Sequence, residues 1–181
     1  MKKYIQFFAI AILFALFTGC TESDDEFFAS KVVTANGLIT VNLSGNAVAV
    51  SADVPRLLPQ TGGNLFDLYL TTTSNQFFFN YTLEKKNANN VWELVAPSGY
   101  NVVTSNGTNQ FGDYIAAICQ LDALETTYEY NTTITPTAAG DYRLTVDNEM
   151  VSLNAKDAVT VTIKTTAVGD TTNNVLEFTV N

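Results

Sequence analysis

Histidine is absent from all 181 residues. That absence removes histidine-based triads, Cys–His dyads, imidazole zinc sites and the facial triad of non-haem iron. Cysteine is nearly absent too, with only Cys20 and Cys119. Cys119 lies in the apolar stretch DYIAAICQL with no cationic neighbour to lower its pKa, which fits a small core residue and not a reactive thiol. Basic side chains are scarce, nine against eighteen acidic ones. Such a surface argues against nucleic acid and against docking on anionic headgroups. No G-x-S-x-G, Walker loop or dinucleotide-type glycine pattern occurs.

The one long apolar run is at the start. Lys2 and Lys3 precede Tyr4 to Phe17, interrupted only by Gln6, and small residues follow. A charged start, an apolar core too short to span a bilayer and a small-residue end describe a secretory signal over residues 1–19. The sequence Phe17-Thr18-Gly19-Cys20 resembles the lipobox of bacterial lipoproteins. That resemblance implies a diacylated Cys20 as the first mature residue. It also implies attachment to the outer membrane by two or three acyl chains, each buried methylene contributing about 0.8 kcal/mol. The cluster Glu22, Asp24, Asp25, Glu26 resembles the export signal of Bacteroidetes surface lipoproteins, which implies the cell surface, the periplasmic face being the alternative. Residues 20–29 read as lipidated cysteine and acidic tether, because clustered like charges keep a chain extended. With Cys20 acylated, no internal disulfide can form.

Residues 30–181 read as one all-β domain, since the apolar segments are short, rich in Val, Ile, Thr, Tyr and Phe, and bounded by Gly, Asn, Asp or Pro. GLITVNL and NAVAVSADV form a hairpin across Ser-Gly-Asn. NLFDLYLTTT (64–73) reads as a strand with Phe66, Leu68 and Leu70 inward. QFFFNYTLE places Phe77, Phe79, Tyr81 and Leu83 on one face and turns through KKNANN into VWELV. DYRLTVD, AVTVTIK and VLEFTV alternate cleanly. In DYIAAICQLDALE (113–125), Ile115, Ile118, Leu121 and Leu124 also suit a helix, but the strand reading is preferred. Nine or ten strands at near-regular spacing indicate an antiparallel sandwich, with a barrel as competitor.

TPTAAGDYRLTV resembles the entry to the sixth strand of immunoglobulin-like and fibronectin-like modules, with Gly140, Asp141 and Tyr142 matching. The resemblance implies an Ig-like sandwich with a tyrosine corner at Tyr142. AVTVTIK and FFFNYTLEKKNANNVWELV fit further strands of such a module. The inter-sheet cysteine pair is missing, and Trp92 falls after the hairpin instead of on the strand that would carry the core tryptophan.

Carboxylates and aromatics are the remaining chemistry. Asp67, Glu84, Glu93, Glu129 and Glu177 alternate with apolar neighbours and read as solvated; a glycosidase would need two of them close together. Asp147-Asn148-Glu149 reads as a polar turn, lacking the spaced ligands of a calcium loop. Asp170-Thr171-Thr172 resembles the short O-glycosylation acceptor of Bacteroidetes proteins. Twelve Phe, eight Tyr and one Trp exceed what one sandwich must bury, even after five go to the signal. Tyr69, Phe78, Tyr100, Phe111, Tyr128 and Tyr130 fall opposite apolar faces or in loops and are the candidate ligand-stacking residues, with packing as the competing role. No catalytic residue, metal or cofactor is assigned. The reading is a non-enzymatic envelope lipoprotein whose partner is a glycan or an envelope protein and not nucleic acid. An assembly subunit accepting a partner strand, or a carboxylate-dependent hydrolase, are its alternatives.

Overall fold

The computed structural model describes residues 29–60, 62–155 and 159–181. The signal sequence, Cys20 and the acidic tether up to residue 28 lie outside the described residues. Over the described residues the chain is all-β, a two-layer sandwich built from sixteen strand segments, more than the nine or ten expected. The surplus consists largely of strands of three or four residues that border the longer ones.

One layer is organised by β6 (Gln76–Lys86), the longest strand. Along one edge it pairs with β12 (Gly140–Val146) and then β13 (Glu149–Leu153), which continue outward to β16 (Val175–Val180) and β14 (Val159–Lys164) respectively. It also pairs antiparallel with β10 (Ile115–Leu121) and with the short β7 (Trp92–Leu94). The strand β9 (Thr108–Phe111) borders β10. The second layer runs β8 (Tyr100–Asn106), β11 (Thr127–Pro136), β3 (Ala47–Pro55), β2 (Ile39–Ser44) and β15 (Ala167–Gly169). Two pairs are parallel: β1 (Ala29–Thr34) on β14, and β15 on β2. The ribbon of β4 (Leu57–Pro59) and β5 (Leu65–Asp67) lies apart from this network.

Alternation explains the core. Phe77, Phe79, Tyr81 and Leu83 on β6, Ile115, Ala117 and Cys119 on β10, and Val48, Val50, Ala52 and Val54 on β3 are all buried in one cluster. The rings of β6 meet those of β11 edge-on: Phe77 to Tyr128 at 4.8 Å and Phe79 to Tyr130 at 5.5 Å. That geometry aligns ring edges with ring faces and adds to the burial energy. Burial pushes the Cys119 thiol up from its ordinary pKa, so it stays protonated and unreactive.

Local turns follow from composition. The β2–β3 hairpin turns on two residues with Gly45 at φ 60° in the first position, as a II′ turn requires. The Tyr142 hydroxyl donates to the Ala138 carbonyl at 2.7 Å, the hydrogen bond of a tyrosine corner. The 64–73 stretch departs from its expected single strand. After β5 it becomes a one-and-a-half-turn helix, α1 (Leu68–Thr72). Asp67 caps it by accepting from the Leu70 amide, and Leu70 is 75% exposed. The capping carboxylate outweighs strand propensity there, because the first helical amides need an acceptor. The 113–125 window, by contrast, is strand through Leu121.

The layers join at a fork. The strands β10 and β11 pair through only two residues, Gln120 with Glu129 and Leu121 with Tyr128. Beyond them β10 continues beside β9 and β11 beside β8. Gly107, between β8 and β9, sits in the crotch at φ 74°. A Cβ there would lie 2.4 Å from the Ile118 carbonyl oxygen and 2.9 Å from the Tyr130 ring. Only glycine fits that position.

Candidate functional site

A depression of about 480 Å³ opens on the outer face of the layer formed by β13, β6, β10 and β9. Strand alternation builds it. While Phe77, Phe79, Ile115, Ala117 and Cys119 point inward, Phe78, Asn80, Ala116 and Ile118 take the opposite face. Phe78 is registered directly against both Ile118 and Val151, and Asn80 against Ala116. The result is an apolar outer surface of Phe78, Ala116, Ile118 and Leu153, bordered by Phe111 and Tyr114. Phe111 is 49% exposed and Tyr114 52%. Polar groups at the rim are the amides of Asn80 and Gln110 and the carboxylate of Asp113. Among the described residues no Lys or Arg lines it.

The Asn80 amide is oriented by its neighbour. Its Nδ2 donates to Asp147 Oδ2 at 3.1 Å, and the Asp147 amide donates back to the Asn80 carbonyl at 2.9 Å. A carboxylate only accepts, so the Asn80 Oδ1 must face away from it. That oxygen is enclosed and has no partner.

A second depression, about 350 Å³, lies between the separated edges of β8 and β9. At the fork end, Asn109 Nδ2 donates to Thr104 Oγ1 at 2.8 Å across the gap. At the far end the Tyr100 and Phe111 rings lie 6.4 Å apart. Behind Asn109 a buried hydroxyl chain runs into the core. The Tyr81 hydroxyl donates to Tyr130 (2.7 Å), and the Tyr130 hydroxyl donates to Asn109 Oδ1 (2.5 Å). Burial, then the Tyr130 hydroxyl beside it, drives Tyr81 far above the ordinary phenol pKa; burial pushes Tyr130 up to about 12.

The six aromatics expected to stack a ligand therefore separate. Phe78 and Phe111 come together at the outer-face cleft. Tyr69 sits on α1 with the Arg56 guanidinium 5.1 Å from its ring. Tyr100, Tyr128 and Tyr130 are core residues, 6%, 0% and 1% exposed, which corrects their placement on solvated faces. Their hydroxyls permit this: Tyr128 donates to the Ser74 carbonyl at 2.8 Å, and Tyr130 joins the Asn109 chain, so neither buries an unpaired polar group. Tyr114 had not been singled out. Its signal was available, since Ile115, Ala117 and Cys119 inward put Tyr114, Ala116 and Ile118 outward.

The carboxylates are mostly committed. Asp67 holds Arg56 through two 2.9 Å hydrogen bonds, and its pKa is lowered by that guanidinium. Glu84 pairs with Arg143 at 2.7 Å, and that guanidinium lies 4.8 Å from the Trp92 ring. Glu93 accepts from Asn87 and Glu129 from Asn106, each at 2.7 Å. Glu177 stands opposite Arg143 on the edge strand β16. At the polar turn, Asp147 binds Asn80, Glu149 pairs with Lys164, and the Asn148 carbonyl accepts from Thr165. Among the described residues no three His, Cys, Asp or Glu side chains converge as a metal cluster.

No family model and no curated protein matches the chain. Among solved structures, a non-cellulosomal cohesin from the hyperthermophilic archaeon Archaeoglobus fulgidus aligns with 75% of this chain and 94% of its own, at 11% identity and a TM-score of 0.31. The sandwich described above rests on its own strand pairing, independently of that likeness.

Proposed function

We propose that the protein is a non-enzymatic binding module, anchored to the outer membrane at the cell surface through lipid on Cys20, whose outer-face cleft captures a neutral glycan. The cleft carries this reading: half-exposed Tyr114 and Phe111 beside Phe78 form an apolar surface, and the polar rim is mainly amide. Sugar rings present apolar faces to aromatics and hydroxyls to amides, and pockets of about 300–1,000 Å³ suit small ligands. Among the described residues no basic group lines the cleft, which disfavours an anionic ligand. The engagement of Asp67, Glu84, Glu93 and Glu129 by neighbouring side chains supports binding over hydrolysis. The anchor rests on the Lys2–Lys3 start, the apolar run and Gly19-Cys20.

The test is a neutral-glycan array probed with the full-length protein in detergent, repeated with Tyr114→Ala. Binding that the substitution lowers by roughly tenfold or more supports the reading, as expected for loss of a stacking anchor. No glycan bound at millimolar concentration, or binding indifferent to Tyr114, contradicts it.

A further inference from the structure

Phe111 borders both depressions: the outer-face cleft on one side and the gap between β8 and β9 on the other. Among the described residues no other is shared by the two linings. The ring ends the short strand β9, half exposed, where the sheet face turns over into the gap. The two spaces therefore meet at one aromatic edge.

Their chemistry matches as well. The gap is lined by Thr104, Thr108 and Asn109 and the cleft by Asn80 and Gln110, all uncharged; Asn80 and Asn109 are held by Asp147, Tyr130 and Thr104, while the Thr108 hydroxyl and the Gln110 amide can both donate and accept. Among the described residues neither lining contains Lys or Arg, and Asp113 is the sole carboxylate. Such a surface suits an uncharged, hydroxyl-rich ligand and disfavours an anionic one, which would find no counter-ion on leaving water. A peptide would be recognised differently. It would add as a strand to the free edge of β9 through main-chain hydrogen bonds, leaving the outer-face cleft empty.

Building on the cleft as a glycan site, we infer that the ligand is a linear neutral oligosaccharide that runs from the outer-face cleft over Phe111 into the β8–β9 gap. Tyr114 and Phe78 hold the first units, and Phe111 is the residue that sets the minimum useful chain length. A single sugar engages only the cleft.

The experiment is calorimetric titration of the full-length protein in detergent with a length series, one to six units, of each neutral glycan type retained on the array. Affinity rising with length to a plateau is expected. Phe111→Ala should flatten that rise, lowering affinity by roughly tenfold for the longest member and by clearly less for the shortest, which meets this ring only at the cleft rim. Phe111→Tyr, which keeps the ring and its packing, should restore it. Length-independent affinity of the unmodified protein, or an equal loss at every length in Phe111→Ala, overturns the inference. Competition by an extended neutral peptide that Phe111→Ala abolishes also overturns it, in favour of strand addition. Tyr114→Ala separates the two claims. Loss at every length upholds the cleft whatever Phe111 does, whereas no loss at any length removes the cleft and this inference with it.

Discussion

Replacing Gly107 by alanine probes the fork directly. Two costs combine at that position. Backbone at φ 74° disfavours any L side chain by about 1 kcal/mol or slightly more. The added methyl would also meet the Ile118 carbonyl oxygen at 2.4 Å, the Tyr130 ring at 2.9 Å and the Glu129 carbonyl oxygen at 3.3 Å. Two of those atoms are backbone on diverging strands, so relief requires moving β8–β9 out of the crotch. Forced overpacking of this kind costs about 1–3 kcal/mol. The sum is about 3 kcal/mol, which for a domain of this size lowers Tm by roughly 6–12 °C. Gly37→Ala is the internal control: its φ is also 74°, but the nearest atom to the added carbon is Val168 Cγ1 at an ordinary 3.6 Å. It carries only the backbone term, about 1 kcal/mol or roughly 2–4 °C. Urea and thermal unfolding of the three proteins, followed by circular dichroism, gives both differences. If Gly107→Ala is no more destabilising than Gly37→Ala, the wedge between β10 and β11 is not tight and the fork is wrongly described.

The hydroxyl chain predicts an asymmetry between two tyrosines. Tyr130→Phe strands both the Tyr81 hydroxyl and Asn109 Oδ1 and should cost about 2–4 kcal/mol, whereas Tyr81→Phe leaves Tyr130 donating to Asn109 and should cost about 1 kcal/mol; equal losses in urea unfolding would contradict the donor order. At low pH the sign follows from Asp67. Its folded pKa is depressed by Arg56, so its stabilisation is present above the ordinary carboxylate range and disappears as pH falls through the folded value. Asp67→Asn should accordingly flatten the acid limb of a stability–pH curve, and an unchanged limb refutes the pairing. At high pH the raised pKa of Tyr130, about 12, means that the unfolded chain ionises first; stability should fall as pH rises from the ordinary phenol range towards that value, less so in Tyr130→Phe. Cys20→Ala should move the protein from the membrane to the soluble fraction on cell fractionation, and continued sedimentation with membranes would contradict the lipid anchor.

Period-two alternation made most of the core readable. It assigned Phe77, Phe79, Tyr81 and Leu83 to one face correctly, and likewise Tyr142, Leu144 and Val146. It misled at Leu68–Thr72 because a single capping carboxylate, Asp67, redirects a segment too short for periodicity to arbitrate. Tyr128 and Tyr130 were hidden for a different reason. A tyrosine can enter a core when its hydroxyl finds a partner, and those partners, Asn109 and the Ser74 carbonyl, are remote in sequence. The cleft was half legible. The run Phe77-Phe78-Phe79 must put one ring on the outer face, and Ile118 among inward-facing odd residues marks the same surface. What joined them was the register of β10 on β6, which no single strand encodes.

Hydrogen–deuterium exchange on the full-length protein, with and without the tightest neutral glycan from the array, tests the capture site most directly. The account predicts slowed exchange in residues 78–82 and 108–118, with the Trp92 region and the β2–β3 hairpin unaffected. Protection centred on Trp92 or on β16, with 108–118 unchanged, would contradict it.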